Sequence, residues 1–253
     1  MADVGASAVT GKLEITTRLQ PAYYVRTGTV RGDLAALLHA PYTRWHLSYV
    51  VAGAALAPTF HWVPLVGAVA AFFFGTGIAA HAFDEWHNHP LRTRLTDRTL
   101  ALVGAGGVAG SIAIAALGAL MISPWILAWA VAGVLLMMGY TLEWHRWLHT
   151  DLAFAFGWGA FPVLVGYWAQ AQQLALAALL MAGAATLVSL AQRALSTPAR
   201  YIRRRAPSTS IVFEDVRDGA WDAEHLLTTW ETPLKLLSAA MVAFAAGLLA
   251  ARL

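Results

Sequence analysis

Two short segments concentrate the side chains able to do chemistry. One reads His81-Ala82-Phe83-Asp84-Glu85-Trp86-His87-Asn88-His89-Pro90, the other Tyr140-Thr141-Leu142-Glu143-Trp144-His145-Arg146-Trp147-Leu148-His149-Thr150-Asp151. His81, His87, His89, His145 and His149 make five of the nine histidines, and Glu-Trp-His occurs in both segments. At about 3.6 residues per turn, His81, Asp84, Glu85 and Asn88 share one helix face, as do His145 and His149. Pro90 biases His89 out of helical geometry. Imidazoles and carboxylates from several helices suit iron, manganese or zinc. The expected metal ligands are therefore His81, Asp84, Glu85, His89, Glu143, His145 and His149. Singly, each is an ordinary interface residue or helix cap. Their gathering is what points to a site, because ionisable groups at membrane depth are costly and tend to mark function. Glu224-His225 with Glu231 forms a third such group, and His39, His46 and His61 are weaker candidates.

The elements that must position these residues are membrane helices. The chain of 253 residues is 58% hydrophobic and 12% charged, about half the charge of a soluble domain. No Asp, Glu, Lys or Arg occurs from Leu47 to Ala80, Thr99 to Leu142 or Leu152 to Ala191. A crossing takes about 20 apolar residues, so each stretch holds about two. The chain reads as an all-α, polytopic transmembrane bundle of about seven spans, at 45–62, 64–86, 98–121, 124–146, 151–169, 172–194 and 232–251. Residues 1–44 form a cytoplasmic N-terminal arm without a signal-peptide core, so the first span is expected to serve as an uncleaved signal. Residues 45–253 form the transmembrane domain, including a cytoplasmic loop at 195–231 whose segment 206–230 suits either a flap or a plain loop.

Three connectors, near Pro58-Pro64, Ser123-Pro124 and Gln170-Gln173, carry no charge. The alternate ones are basic: Arg18, Arg26, Arg31 and Arg44; Arg92, Arg94 and Arg98; Arg146; and Arg193, Arg200, Arg203, Arg204, Arg205 and Arg217. Basic short loops stay cytoplasmic. The N-terminus is therefore expected inside a bacterial or archaeal cytoplasmic membrane, with nearly all charged chemistry on that face. The net charge of +3 is an orientation device and does not call for nucleic acid. Having no cysteine, the chain excludes disulfides, thiolate ligands and iron–sulfur clusters. Gly106 and Gly110, with Gly75, Gly77, Gly133 and Gly139 in other spans, suit close helix packing and are compatible with a homo-oligomer.

The chain resembles the UbiA-type intramembrane prenyltransferases over roughly residues 40–205. That family carries an NDxxDxxxD segment at the cytoplasmic end of its second helix, then a loop of the form N-x-P-x-R-P. Asn88-His89-Pro90-Leu91-Arg92-Thr93 resembles the loop, which aligns Glu85, His81 and Ile78 with the last, middle and first aspartates. Tyr140…Arg146…Phe156-Gly157-Trp158-Gly159…Gly166-Tyr167 resembles the family's fourth and fifth helices. The resemblance implies Mg²⁺-dependent transfer from a prenyl diphosphate. The family's second Asp-rich motif falls here on Ser189 to Arg200, which contains no acid.

Three functions follow. One is a metalloenzyme on a UbiA-like scaffold, with iron or manganese, or else zinc, oxidising or hydroxylating a lipophilic isoprenoid, quinone or fatty chain that enters from the bilayer. A second is Mg²⁺-dependent prenyl transfer, with Arg92, Arg146, Arg193 and Arg200 on the diphosphate. The third is a non-catalytic subunit binding membrane lipid, a pigment or a partner.

Overall fold

The computed structural model describes residues 19–25, 29–212 and 220–253. Arg18 and Arg26 of the arm, and Arg217 with most of the acidic part of segment 206–230, lie outside the described residues.

The regular structure of the described residues is helical apart from an antiparallel ladder of two-residue strands, β1 (Ile211–Val212) against β2 (Ala220–Trp221). A short helix, α1 (Val30–Leu37), precedes seven longer ones: α2 (Ala40–Leu56), α3 (Trp62–Asn88), α4 (Asp97–Met121), α5 (Trp125–Thr141), α6 (Asp151–Ala171), α7 (Leu176–Arg205) and α8 (Ala223–Ala250). These seven overlap the seven expected spans one for one. Among the described residues five of them, α3, α4, α6, α7 and α8, are long and apolar enough to cross a membrane, which fits an integral membrane protein. Their outward faces stay apolar, with Leu120 86% and Leu187 69% exposed. So much bare leucine is a liability in water and ordinary in lipid.

Helix starts are chemically marked. Thr29, Thr96, Thr150 and Asp222 each accept a backbone N–H of the first turn, at α1, α4, α6 and α8, satisfying donors that have no intrahelical partner. Two ends differ from expectation. Residues 195–205, expected to open a loop, continue α7 through Pro198, because Ser196, Ala199 and Ile202 prolong its buried face. Helix α5 stops at Thr141, short of the expected 146.

Helix α2 is the centre of the bundle, packed against α6 and α8. The α2–α6 approach is reciprocal. A Cβ on Gly53 would lie 2.1 Å from the Val163 carbonyl oxygen, and one on Gly166 2.2 Å from that of Val50. Only glycine admits backbones so close. Gly106, by contrast, has nothing within 4 Å of an added Cβ; the tight α4 contact falls on Gly107, against the backbone of α3. Polar links add to this frame. Trp45 donates to Tyr49 and Ser189 of α7 donates to the same hydroxyl. Ser238 of α8 donates to the Pro41 carbonyl at 2.8 Å.

Candidate functional site

The end of α3 carries the first segment. The helix widens to a π-helix over Phe73–Ala80 and returns to α geometry at His81; such widenings often accompany functional sites. His81 Nδ1–H donates to the Gly77 carbonyl at 3.2 Å. The next carboxylates part company. Glu85 is buried, 1% exposed, and accepts the Leu91 and Thr93 N–H groups at 2.8 and 2.7 Å. Both oxygens are thereby committed to the turn after α3, where His89 takes a left-handed conformation at φ 45°. His89 turns away to Asp97 at 3.5 Å. Asp84 is within electrostatic reach of Arg204, Arg200 and His149, and Glu85 of Arg204.

The second segment is not helical. Glu143 has φ 52°, and a side chain in the left-handed region ends the helix that would have put His145 and His149 on one face. This corrects the expected i, i+4 pair. His145 is exposed, its Nδ1 accepting the Trp147 N–H at 3.3 Å. His149 donates through Nδ1 to the Tyr140 carbonyl at 2.9 Å and stacks on the Tyr140 ring. Glu143 accepts from Asn88 at 3.1 Å and lies 3.8 Å from His149 Nε2. The two segments do meet there, although the seven expected ligands do not gather as one set. Among the described residues no three His, Asp or Glu side chains form a metal-holding group.

What does gather is different. The rings of His39 and His81 stack with centroids 4.0 Å apart, and the Tyr24 hydroxyl lies 2.8 Å from His39 Nδ1. His46 joins them, buried, its Nδ1–H donated to the Trp158 carbonyl at 2.9 Å. Burial first, then His81, Arg204 and Arg200, holds the His39 imidazole well below its ordinary value. Burial, then the neighbouring Tyr42, pushes the Tyr24 phenol well above its own. His39, at the N-cap, and His46 belong to the first two turns of α2, but their approach to His81 on α3 joins two helices, which no spacing rule exposes.

The four arginines expected on a diphosphate also divide. Arg92 donates to the Arg204 carbonyl at 3.5 Å, capping α7. Arg146 rests on the Trp147 ring. Arg193 pairs with Asp151 at 2.8 Å and covers the Phe154 ring. Arg200 reaches Thr197 at 3.4 Å and lies in the field of Tyr42, Tyr140 and Tyr24. Arg204, read from sequence as part of an orientation signal or else of a phosphate or headgroup clamp, lies near Arg200 and Asp84; its Nε donates to the Pro21 carbonyl at 3.4 Å. Neither Arg200 nor Arg204 has an ion-pair partner among the described residues. Arg203, in contrast, donates through Nε and Nη2 to the two carboxylate oxygens of buried Glu231.

An apolar groove of about 480 Å³ runs between α3, α4, α5 and α6. It extends from Trp62 and Met121 at one end of the bundle to Met137 and Trp158 near the middle. Trp158 also stands beside Phe154 and Tyr140, with ring centroids 5.3 and 4.8 Å away. The groove and the polar cluster thus share one residue.

No known protein family, curated protein or solved structure matches the chain. The site must be read from its own geometry. An apolar groove whose Trp158 adjoins Tyr140, itself within electrostatic reach of Arg193 and Arg200, is suited to a molecule with a long hydrocarbon part and an anionic head.

Proposed function

We propose that this protein is an integral membrane enzyme on a UbiA-like scaffold that binds an isoprenoid diphosphate and transfers its chain to a lipophilic acceptor. All seven helices α2–α8 cross the membrane in this reading, with the N-terminus cytoplasmic, as the basic connectors favour. One observation carries it: Trp158 joins the apolar groove to a cluster in which, among the described residues, neither Arg200 nor Arg204 has a carboxylate within ion-pair distance. Half-buried cations without a close counter-charge are costly, and a phosphorylated head would supply one.

The chemistry follows from that placement. The hydrocarbon chain lies along the groove and the diphosphate against α7. The bond between the allylic carbon and the diphosphate oxygen breaks, its electron pair leaving with the diphosphate, whose growing charge the guanidiniums stabilise. The acceptor forms the new bond to that carbon and releases one proton. Phe154, Trp158 and Tyr140 present ring faces where positive charge develops. The test is turnover of radiolabelled prenyl diphosphates by the purified protein with a panel of quinol and phenol acceptors. No transfer to any acceptor, with the same protein shown folded, overturns the assignment.

A second reading has one observation in its favour. His46 and His81 both donate Nδ1–H to main-chain carbonyls, which leaves Nε2 with its lone pair in the neutral ring. Metal-binding histidines are commonly held this way. Iron, manganese or zinc near His46, His81 and Asp84, oxidising or hydrolysing a lipophilic substrate, is the alternative. Stoichiometric transition metal in purified protein, measured by mass spectrometry, would favour it over transfer.

A further inference from the structure

We infer that the diphosphate is held directly by guanidinium groups, without bridging divalent ions, the reverse of what the UbiA resemblance implies. The inference rests on the proposed function and concerns how its headgroup site works.

The carboxylates needed for a metal bridge are used up or absent. Mg²⁺ demands near-octahedral oxygen coordination and is usually carried to phosphates by protein carboxylates. On α3, the aligned positions are Ile78, His81 and Glu85, and both Glu85 oxygens are taken by the Leu91 and Thr93 N–H groups. On α7, the stretch aligned with the second motif turns Ser189, Gln192 and Ser196 inward, all buried and all neutral. Asp151 is paired with Arg193, and Glu143 with Asn88. Of the described carboxylates at these helix ends, Asp84 alone has neither a hydrogen bond nor an ion pair.

Positive charge replaces them. Arg193, Arg200 and Arg204 follow the i, i+7, i+11 line of α7, one face of a helix. Arg200 lies in the field of Arg193, and Arg204 in that of Arg200. Such mutual repulsion is unfavourable in the empty site and is relieved by an anion. A divalent cation among three guanidiniums would add to it. The planar fork of each arginine can hold two phosphate oxygens at once. Asp84, within electrostatic reach of Arg200 and Arg204, offsets part of their charge and so competes with an anion there.

The test uses the full chain in lipid nanodiscs, with farnesyl diphosphate and inorganic pyrophosphate as probes and calorimetry as readout. Binding of farnesyl diphosphate is expected to change less than about twofold between excess EDTA and added Mg²⁺. Arg200→Ala and Arg204→Ala are each expected to weaken it roughly tenfold or more in EDTA, the loss of one charge-assisted contact. Asp84→Asn should retain binding or tighten it, whereas a metal-bearing Asp84 would lose it. Thermal unfolding of each variant separates lost binding from lost fold, and Arg200→Lys, which keeps the charge but not the fork, should weaken binding by less than the alanine. Binding that appears only with Mg²⁺, or disappears in Asp84→Asn, overturns the clamp while leaving the proposed function standing. No binding of farnesyl diphosphate under either condition overturns both.

Discussion

The imidazoles of His39 and His81 lie face to face, ring centroids 4.0 Å apart and planes 10° from parallel. One ring comes from the turn before α2 and the other from the end of α3. The contact therefore ties the N-terminal arm to the site, and Tyr24 closes it from the other side through His39 Nδ1.

This pair gives a pH dependence whose sign is fixed. His39 has a pKa well below the value of about 6.5 that it takes when unfolded. Its contribution to stability is present above about pH 6.5 and falls below it, because the unfolded chain takes up the proton first. Protonation in the folded state would also meet His81, Arg204 and Arg200. Thermal stability is expected to drop between about pH 7 and about pH 5, with a limiting slope near 1.4 kcal/mol per pH unit from this one group. His39→Gln should flatten the curve; an unchanged slope would show that other groups control it.

Glu85 is expected to act through the fold and not through a metal. Glu85→Ala removes the acceptor of two buried N–H groups, at about 2–5 kcal/mol. Chemical or thermal unfolding in detergent measures the loss. Metal content should be the same in the variant as in the parent; a loss of bound metal with unchanged stability would contradict this role.

The α2–α6 seam predicts a contrast among glycines. Gly53→Ala and Gly166→Ala place a methyl group against backbone at 2.1 and 2.2 Å, and overpacking of this kind costs about 1–3 kcal/mol or more. Gly106→Ala meets nothing and should behave as the parent. Recovery of monodisperse protein by size-exclusion chromatography compares the three.

Groove length should set chain length. Gly67 lines the groove, and an added Cβ there touches nothing, so Gly67→Phe fills space without displacing backbone. It is expected to weaken geranylgeranyl diphosphate roughly tenfold more than geranyl diphosphate, which is short enough to stay near Trp158. Equal effects on both would place the chain elsewhere.

The helices were legible because uncharged runs of membrane length admit little else, and α4 and α6 begin at Asp97 and Asp151, next to the starts of the runs Thr99–Leu142 and Leu152–Ala191. The site was legible only in part. His81, Asp84, Arg193 and Arg200 fall where spacing puts them. Glu85 reads as a ligand because nothing in the sequence reveals that the turn at Pro90 leaves two N–H groups needing an acceptor. Glu143 reads as helical because Tyr140 to Leu142 continue the pattern, and the left-handed residue that breaks it is not a glycine. His39 and His46 read only as weaker candidates because their approach to His81 across the bundle has no local signature. Arg204 was hidden in a run of three arginines, where only geometry separates the paired Arg203 from its unpaired neighbour.

The glycine seam also divides the molecule mechanically. Helices α2 and α6 interlock backbone to backbone at Gly53 and Gly166, so they behave as a stator. One wall of the groove, carrying Trp158 and Phe161, belongs to that fixed pair; the opposing walls come from α3, α4 and α5. Whatever widens the groove to admit a chain must move those three helices, so His46 on α2 keeps its place while His81 on α3 moves with them.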